Sequence, residues 1–206
     1  MLNRKTVEDL SYVETVDKIV ELNEHIKTFW SNATGWAPVE AADLLSKSRL
    51  DWLLSLSNSL YKWESKPKKD AEEGDLILAW ANLGALVEGT MKFFLSVFYN
   101  DYKNDVNRIV RRQKDIDPDG AMFDGLRQFF SKSVWLNDEH DKKNDWLKII
   151  QSRRNAIHAY QDKKIDDFFF FREQVKNYLS FLMDLLTRVP YPDYQYGPDL
   201  FLGYKD

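Results

Sequence analysis

The sequence predicts an all-α protein, an antiparallel helical bundle, on three observations. Apolar residues recur at helical intervals along most of the chain. No run alternates as a half-buried strand would, and no internal repeat or low-complexity tract interrupts the pattern. With 44% hydrophobic and 15% aromatic residues, including 7 Trp and 13 Phe, the chain has the material for a packed core and not for disorder.

The elements follow in order. "TVED" at Thr6 has capping-box spacing, and Val13, Val16, Ile19, Val20, Leu22, Ile26 and Phe29 continue at helical steps. "NATGWAP" breaks that helix. A second is predicted from Glu40 to Trp63, with Leu45, Trp52, Leu53, Leu56 and Leu60 on one stripe, and "SKPKKDAEEGD" ends it. From Asp75, a plausible N-cap, a helix apolar on nearly every side is predicted to run through the middle of the bundle. Ala81, Ala85 and Gly89 repeat every four residues along it, a stripe of small residues that lets a neighbour approach.

"RIVRRQK" (Arg108, Arg111, Arg112, Lys114) reads first as a solvated helix face and second as part of an RNA-facing surface. "AMFDGLRQFFSKSVWL" is a shorter amphipathic helix, and "NDEHDKKND" a polar connection. A helix starting near Asn144 leads into "SRRNAIHAY", and a long final helix places Phe171, Val175, Tyr178, Leu182 and Leu185 on one face. The expected organisation is a single unit over 1–206: an N-terminal helical extension (1–66), a core (75–189) and a Pro/Tyr-rich tail (190–206) that packs back on the bundle.

A net charge of -4 means that any contact with a polyanion must use a local basic patch. The absence of cysteine excludes disulfides, thiolate zinc sites and cysteine nucleophiles. The first residues lack an apolar signal core and no segment has the length of a membrane span, so a cytoplasmic protein without membrane contact is expected. The "NAT" sequon at Asn32 is then accidental.

Metal chemistry finds little support. Asp138, Glu139, His140 and Asp141 are successive residues and do not converge on one ion, and no H-x-x-x-H or E-x-x-H pair is present. His25 reads as structural or exposed. No serine elbow, phosphate loop or dinucleotide fingerprint occurs, and no cofactor is expected.

That leaves Arg153, Arg154, Asn155 and His158. Near a helix C-terminus the dipole favours an imidazolium while adjacent arginines oppose it, and a histidine so balanced suits proton transfer. A guanidinium offers a fork of donors to phosphate oxygens. Arginine and histidine without a metal can cut RNA: the histidine moves a proton and the arginine stabilises charge on the phosphorane. The plainer reading keeps the arginines as surface residues and His158 on a backbone carbonyl. On an unbroken helix, at roughly 100° per residue, Arg153 stands about 140° from His158 and Arg154 about 40°. Joint use of Arg153 and His158 therefore requires the helix to loosen, or a partner subunit to contribute.

The spacing Arg153-x4-His158, with Arg154 and Asn155 after the first arginine, resembles the R-x(4–6)-H signature of the HEPN superfamily (higher eukaryote and prokaryote nucleotide-binding domain). The order of buried helix, shorter helices, motif helix and long terminal helix is similar from about Asp75 to Val189. The resemblance implies a HEPN-type bundle and a metal-independent endoribonuclease of the toxin–antitoxin or phage-defence kind. It would cut RNA to a 2′,3′-cyclic phosphate, with Arg153 and His158 catalytic and Arg154 and Asn155 shaping the pocket. Glu88 resembles an acidic residue on an earlier helix of some members, and equally pairs with Lys92 one turn on. One histidine does not readily serve as both base and acid, so a homodimer bringing two sites together is expected. Two alternatives stay open: a catalytically inactive HEPN-like dimer binding a nucleotide or partner protein (an antitoxin among them), and a helical adaptor with Arg153 and Arg154 paired to Asp166 and Asp167.

Overall fold

The computed structural model describes residues 6–65, 69–135, 139–158, 160 and 162–191, with the backbone alone for 139–141. The described residues form an all-α bundle with one small hairpin. Eight α-helices are present among them: α1 (Tyr12–Trp30), α2 (Val39–Lys47), α3 (Leu50–Asn58), α4 (Glu72–Val97), α5 (Tyr99–Asn104), α6 (Phe123–Phe129), α7 (Glu139–Arg154) and α8 (Phe168–Arg188).

Local chemistry sets several boundaries away from the expected ones. Thr6 N–H does donate to Asp9, at 3.2 Å, but this pair closes only a 3-10 turn at Val7–Asp9. The long helix is started by Ser11, whose hydroxyl accepts from Glu14 N–H while its own N–H donates to the Glu14 carboxylate at 2.8 Å. The single helix expected over 40–63 is two helices and a 3-10 segment. Ser48 turns its hydroxyl and its N–H back onto Leu44 O, at 2.9 and 3.1 Å, and leaves the helical region with ψ 140°. The break swings Trp52 out of the stripe assigned to it: it is 59% exposed, with the Arg49 guanidinium 3.8 Å above its ring. Helix α4 begins at Glu72, so Asp75 lies in the first turn, where its charge still suits the dipole, and is not the cap.

The central helix is α4, which packs on α3, α7 and α8, while α1 packs on α3 and α8. One core holds Ile19 and Leu22 of α1, Leu83 and Leu86 of α4, and Val175 and Leu182 of α8. The predicted face of α8 is buried throughout, from Phe171 to Leu185. Burial of that size contributes about 1.5–3 kcal/mol per large apolar side chain. Helix α7 approaches at Gly84, outside the Ala81/Ala85/Gly89 stripe: a Cβ there would stand 2.6 Å from Arg154 Cβ. Gly89 meets Leu53 Cδ1 of α3 at the same distance, and Ala81 and Ala85 are half-buried.

"RIVRRQK" is no helix face. Val110–Arg111 (β1) and Lys114–Asp115 (β2) pair antiparallel, a strand pairing the periodicity did not predict. Tyr102 anchors the hairpin from α5, accepting from Ile109 N–H at 3.2 Å and donating to Ile116 O. Ile116 N–H closes it onto Ile109 O at 2.9 Å. Helix α6 continues as a π-helical turn, Phe130–Val134. Helix α7 starts at Glu139, earlier than the expected Asn144, so part of the supposed polar connection is helical. The tail beyond residue 191 and the side chains around His140 lie outside the described residues.

Candidate functional site

The motif helix loosens where a shared site requires it. Helix α7 ends at Arg154, and Asn155–His158 is a 3-10 turn. Side chains three apart eclipse in a 3-10 helix, so Asn155 and His158 stand on one side of the turn; both are exposed, while Ala156 is buried between them. His158 is thus at the surface, and not in the last turn of an α-helix as expected.

The connection from this turn to α8 is tightly held. The Trp80 indole N–H of α4 donates to Ile165 O at 2.8 Å. Asp166 takes a left-handed backbone, φ 58°, which aspartate tolerates better than most residues. Asp167 caps α8, its carboxylate accepting from Phe170 N–H at 2.8 Å.

The two arginines go to different carboxylates. Arg153 donates from Nε and Nη2 to Asp166 Oδ2, at 2.9 and 2.8 Å, with 12% of its side chain exposed. Lys164 Nζ reaches the other oxygen of Asp166 at 3.0 Å. Arg154 turns to α4, where Nη1 bonds Glu88 Oε2 and the guanidinium lies 5.2 Å from the Phe123 ring centroid. Glu88 Oε1 is held by Lys92 at 2.9 Å. Glu88 therefore holds Lys92, the partner expected for it, and Arg154 at once. Arg153 takes Asp166, but Asp167 is spent on the cap and Arg154 does not join that pair.

Each carboxylate bridges two cations. The networks Lys92–Glu88–Arg154 and Arg153–Asp166–Lys164 set four positive groups on two negative ones. Burial raises the Glu88 carboxyl, but hydrogen bonds from Lys92 and Arg154 outweigh it and hold the group below its ordinary value. Asp166 behaves likewise: burial pushes up, Lys164 and Arg153 pull further down. Neither arginine is exhausted, since a guanidinium has five N–H donors. Among the described residues, Arg154 uses only Nη1, and the Nη1 of Arg153 meets only Ser152 Oγ at 3.5 Å.

Sequence reasoning found Arg153, Arg154, Asn155, His158 and Glu88 but missed Lys164 and Gly84 as parts of this arrangement. The signals were available: "DKKIDD" follows the motif directly, and Gly84 is a glycine inside an apolar helix, where close backbone approach is the usual reason. His25 is buried, its ring 5.1 Å from that of Tyr191. Among the described residues, no group of three or more His, Cys, Asp or Glu could hold a metal ion, and no helix is long and apolar enough to cross a membrane. No protein-family model, curated protein or solved structure matches the chain.

Proposed function

We propose that the protein is a metal-independent endoribonuclease of HEPN type, acting as a homodimer in a toxin or phage-defence role. The observation that carries the reading is an exposed His158 on the turn that follows Arg153 and Arg154, whose ion pairs leave guanidinium donors unused. Such a surface attracts a phosphodiester and holds its oxygens near a proton-transfer group. The 2′-oxygen attacks the adjacent phosphorus and gives up its proton; the P–O5′ bond breaks and the departing 5′-oxygen takes a proton. The products are a 2′,3′-cyclic phosphate and a 5′-hydroxyl. His158 serves one proton transfer, and Arg153 and Arg154 stabilise the charge that builds on phosphorus. Asn155, eclipsed with His158, contacts the ribose or phosphate.

The second proton transfer falls to His158 of a second copy. Exposed apolar side chains support that pairing: Ile157 on the turn itself, Leu78 of α4 and Phe169 at the start of α8. Such groups on a twofold axis would bury one another. Incubation of purified protein with total RNA in excess chelator, beside His158→Ala, tests the reading. Cleavage by the wild type, reduced roughly 10²–10⁴-fold in the variant, is expected. Cleavage only with added divalent metal, or equal cleavage by both proteins, contradicts it.

A second reading has its own support. Both motif arginines already sit on carboxylates of the same chain, as they would in a silent HEPN-like dimer that binds a nucleotide or a partner protein. Equal growth of bacteria expressing wild type and His158→Ala, with no cleavage in vitro, would favour it.

A further inference from the structure

We infer that the β1–β2 hairpin is an arm that grips the sugar-phosphate backbone of an unpaired RNA strand next to the His158 site; this rests on the ribonuclease reading. The hairpin tip carries two unfavourable features, and its exposure leaves neither offset by burial. Its two turn residues, Arg112 and Gln113, have φ of 52° and 63°, the left-handed region that hairpin turns ordinarily give to Asn or Gly. Arg111 and Lys114 are directly paired across the strands, so two like charges share one face of the ribbon, an arrangement that destabilises a sheet. All of Val110–Asp115 is exposed, so no burial compensates. The left-handed turn holds these cations together at the exposed tip, and their mutual repulsion is what an anionic ligand would relieve.

The charges are also sorted along the hairpin. Arg111, Arg112 and Lys114 stand at its apex with no ion-pair partner among the described residues. The four aspartates of the segment are engaged at its base. Asp115 takes Arg108 at 2.9 Å, Asp117 accepts from the Tyr99 hydroxyl at 2.6 Å, Asp105 accepts from Asn107 N–H at 2.6 Å, and Asp119 from Gly120 N–H at 2.8 Å. The segment is thus near neutral as a whole but cationic at its tip.

Its position selects the occupant. Arg111 Nη1 contacts Met122 Sδ at 3.8 Å, and the next residue, Phe123, lies under the Arg154 guanidinium. Two adjacent residues thus link the Arg111 side chain of the hairpin to the Arg154 guanidinium of the motif helix. The base is fixed by Tyr102 and by Ile109, whose methyl would stand 3.3 Å from a Cβ at Gly125. A cationic ribbon linked in this way to Arg154 suits a strand that runs from the hairpin toward the motif turn. Such contacts fix register and affinity without reading sequence.

The test is binding of a labelled 2′-O-methyl oligoribonucleotide, which cannot be cut, followed by anisotropy across a salt series. The proteins are wild type, Arg111→Gln/Arg112→Gln/Lys114→Gln, and the charge-keeping Arg111→Lys/Arg112→Lys. The neutralised protein is expected to bind about 10- to 100-fold more weakly in low salt. Its plot of log affinity against log salt should be shallower by about 2, at ~0.7 for each single-strand phosphate that the hairpin no longer neutralises. The charge-keeping variant should follow wild type. The neutralised protein should melt no lower than wild type, since a repulsion has been removed, so weaker binding is not unfolding. Unchanged affinity and slope in the neutralised protein overturns the inference. So does a wild type that binds phosphatidylserine vesicles but not the oligonucleotide. Hairpin-dependent binding of natural RNA that is never cut would leave the arm standing and defeat the nuclease reading; cutting with hairpin-independent affinity would do the reverse.

Discussion

Single residues decide how the candidate site is held. Gly84 lets α7 lie against α4 closely enough for Arg154 to reach Glu88, and an added methyl would strike Arg154 at Cβ and Cδ, 2.6 and 2.8 Å away. Those atoms belong to the root of a side chain fixed at its far end. Gly84→Ala is therefore expected to lower stability by about 1–3 kcal/mol, read as a shift in denaturant midpoint. Gly89→Ala meets only the tip of Leu53 and should cost less. Glu88 and Asp166 set a pH dependence. Both carboxyls are held below their ordinary values, 4.5 and 3.8, so each stabilises the fold fully above its unfolded value and loses that contribution as pH falls through the lower folded one. Thermal melts should show a gap between wild type and Glu88→Gln/Asp166→Asn that is constant above about pH 5 and narrows steadily below it. A gap independent of pH down to strong acid would mean that these bridges contribute packing and not charge.

At the scale of elements, α8 and the core face of α1 were legible because their apolar residues repeat over five turns or so, long enough for periodicity to dominate. The hairpin was not: two-residue strands carry no alternation, and its basic letters read equally well as a helix. What makes it a hairpin is the distant anchoring by Tyr102, which a local reading cannot see. Likewise the break at Ser48 depends on a hydroxyl turning back on Leu44, a choice open to any serine in a helix. The motif's residue types and spacing were legible, but not the 3-10 turn at Asn155–His158 or the parting of the two arginines, because both follow from partners on α4 and before α8. Two substitutions test the elements. Gln113→Gly should stabilise the protein by about 0.5–1 kcal/mol, since relief of a left-handed residue exceeds the added chain entropy. Asp167→Ala should cost about 1 kcal/mol by uncapping α8, and should loosen the connection that carries Asp166.

For the whole molecule, one core joins α1, α4 and α8, so the N-terminal helices are part of what positions the site. Among the described residues His158 is the exposed histidine, and the proposed reaction has two proton transfers, so the proposal requires a twofold dimer. Light scattering after size-exclusion chromatography should give twice the chain mass, and charge placed at the turn by Ile157→Asp should shift it toward the monomer with loss of cleavage. The most direct measurement is mass spectrometry of the ends left on a defined RNA oligonucleotide by the purified protein in excess chelator. Fragments ending in a 2′,3′-cyclic phosphate and beginning with a 5′-hydroxyl are predicted from the wild type, and intact oligonucleotide from His158→Ala. Fragments with 3′-hydroxyl and 5′-phosphate ends, identical fragments from both proteins, or a substrate left uncut by the wild type would contradict metal-independent cleavage at His158.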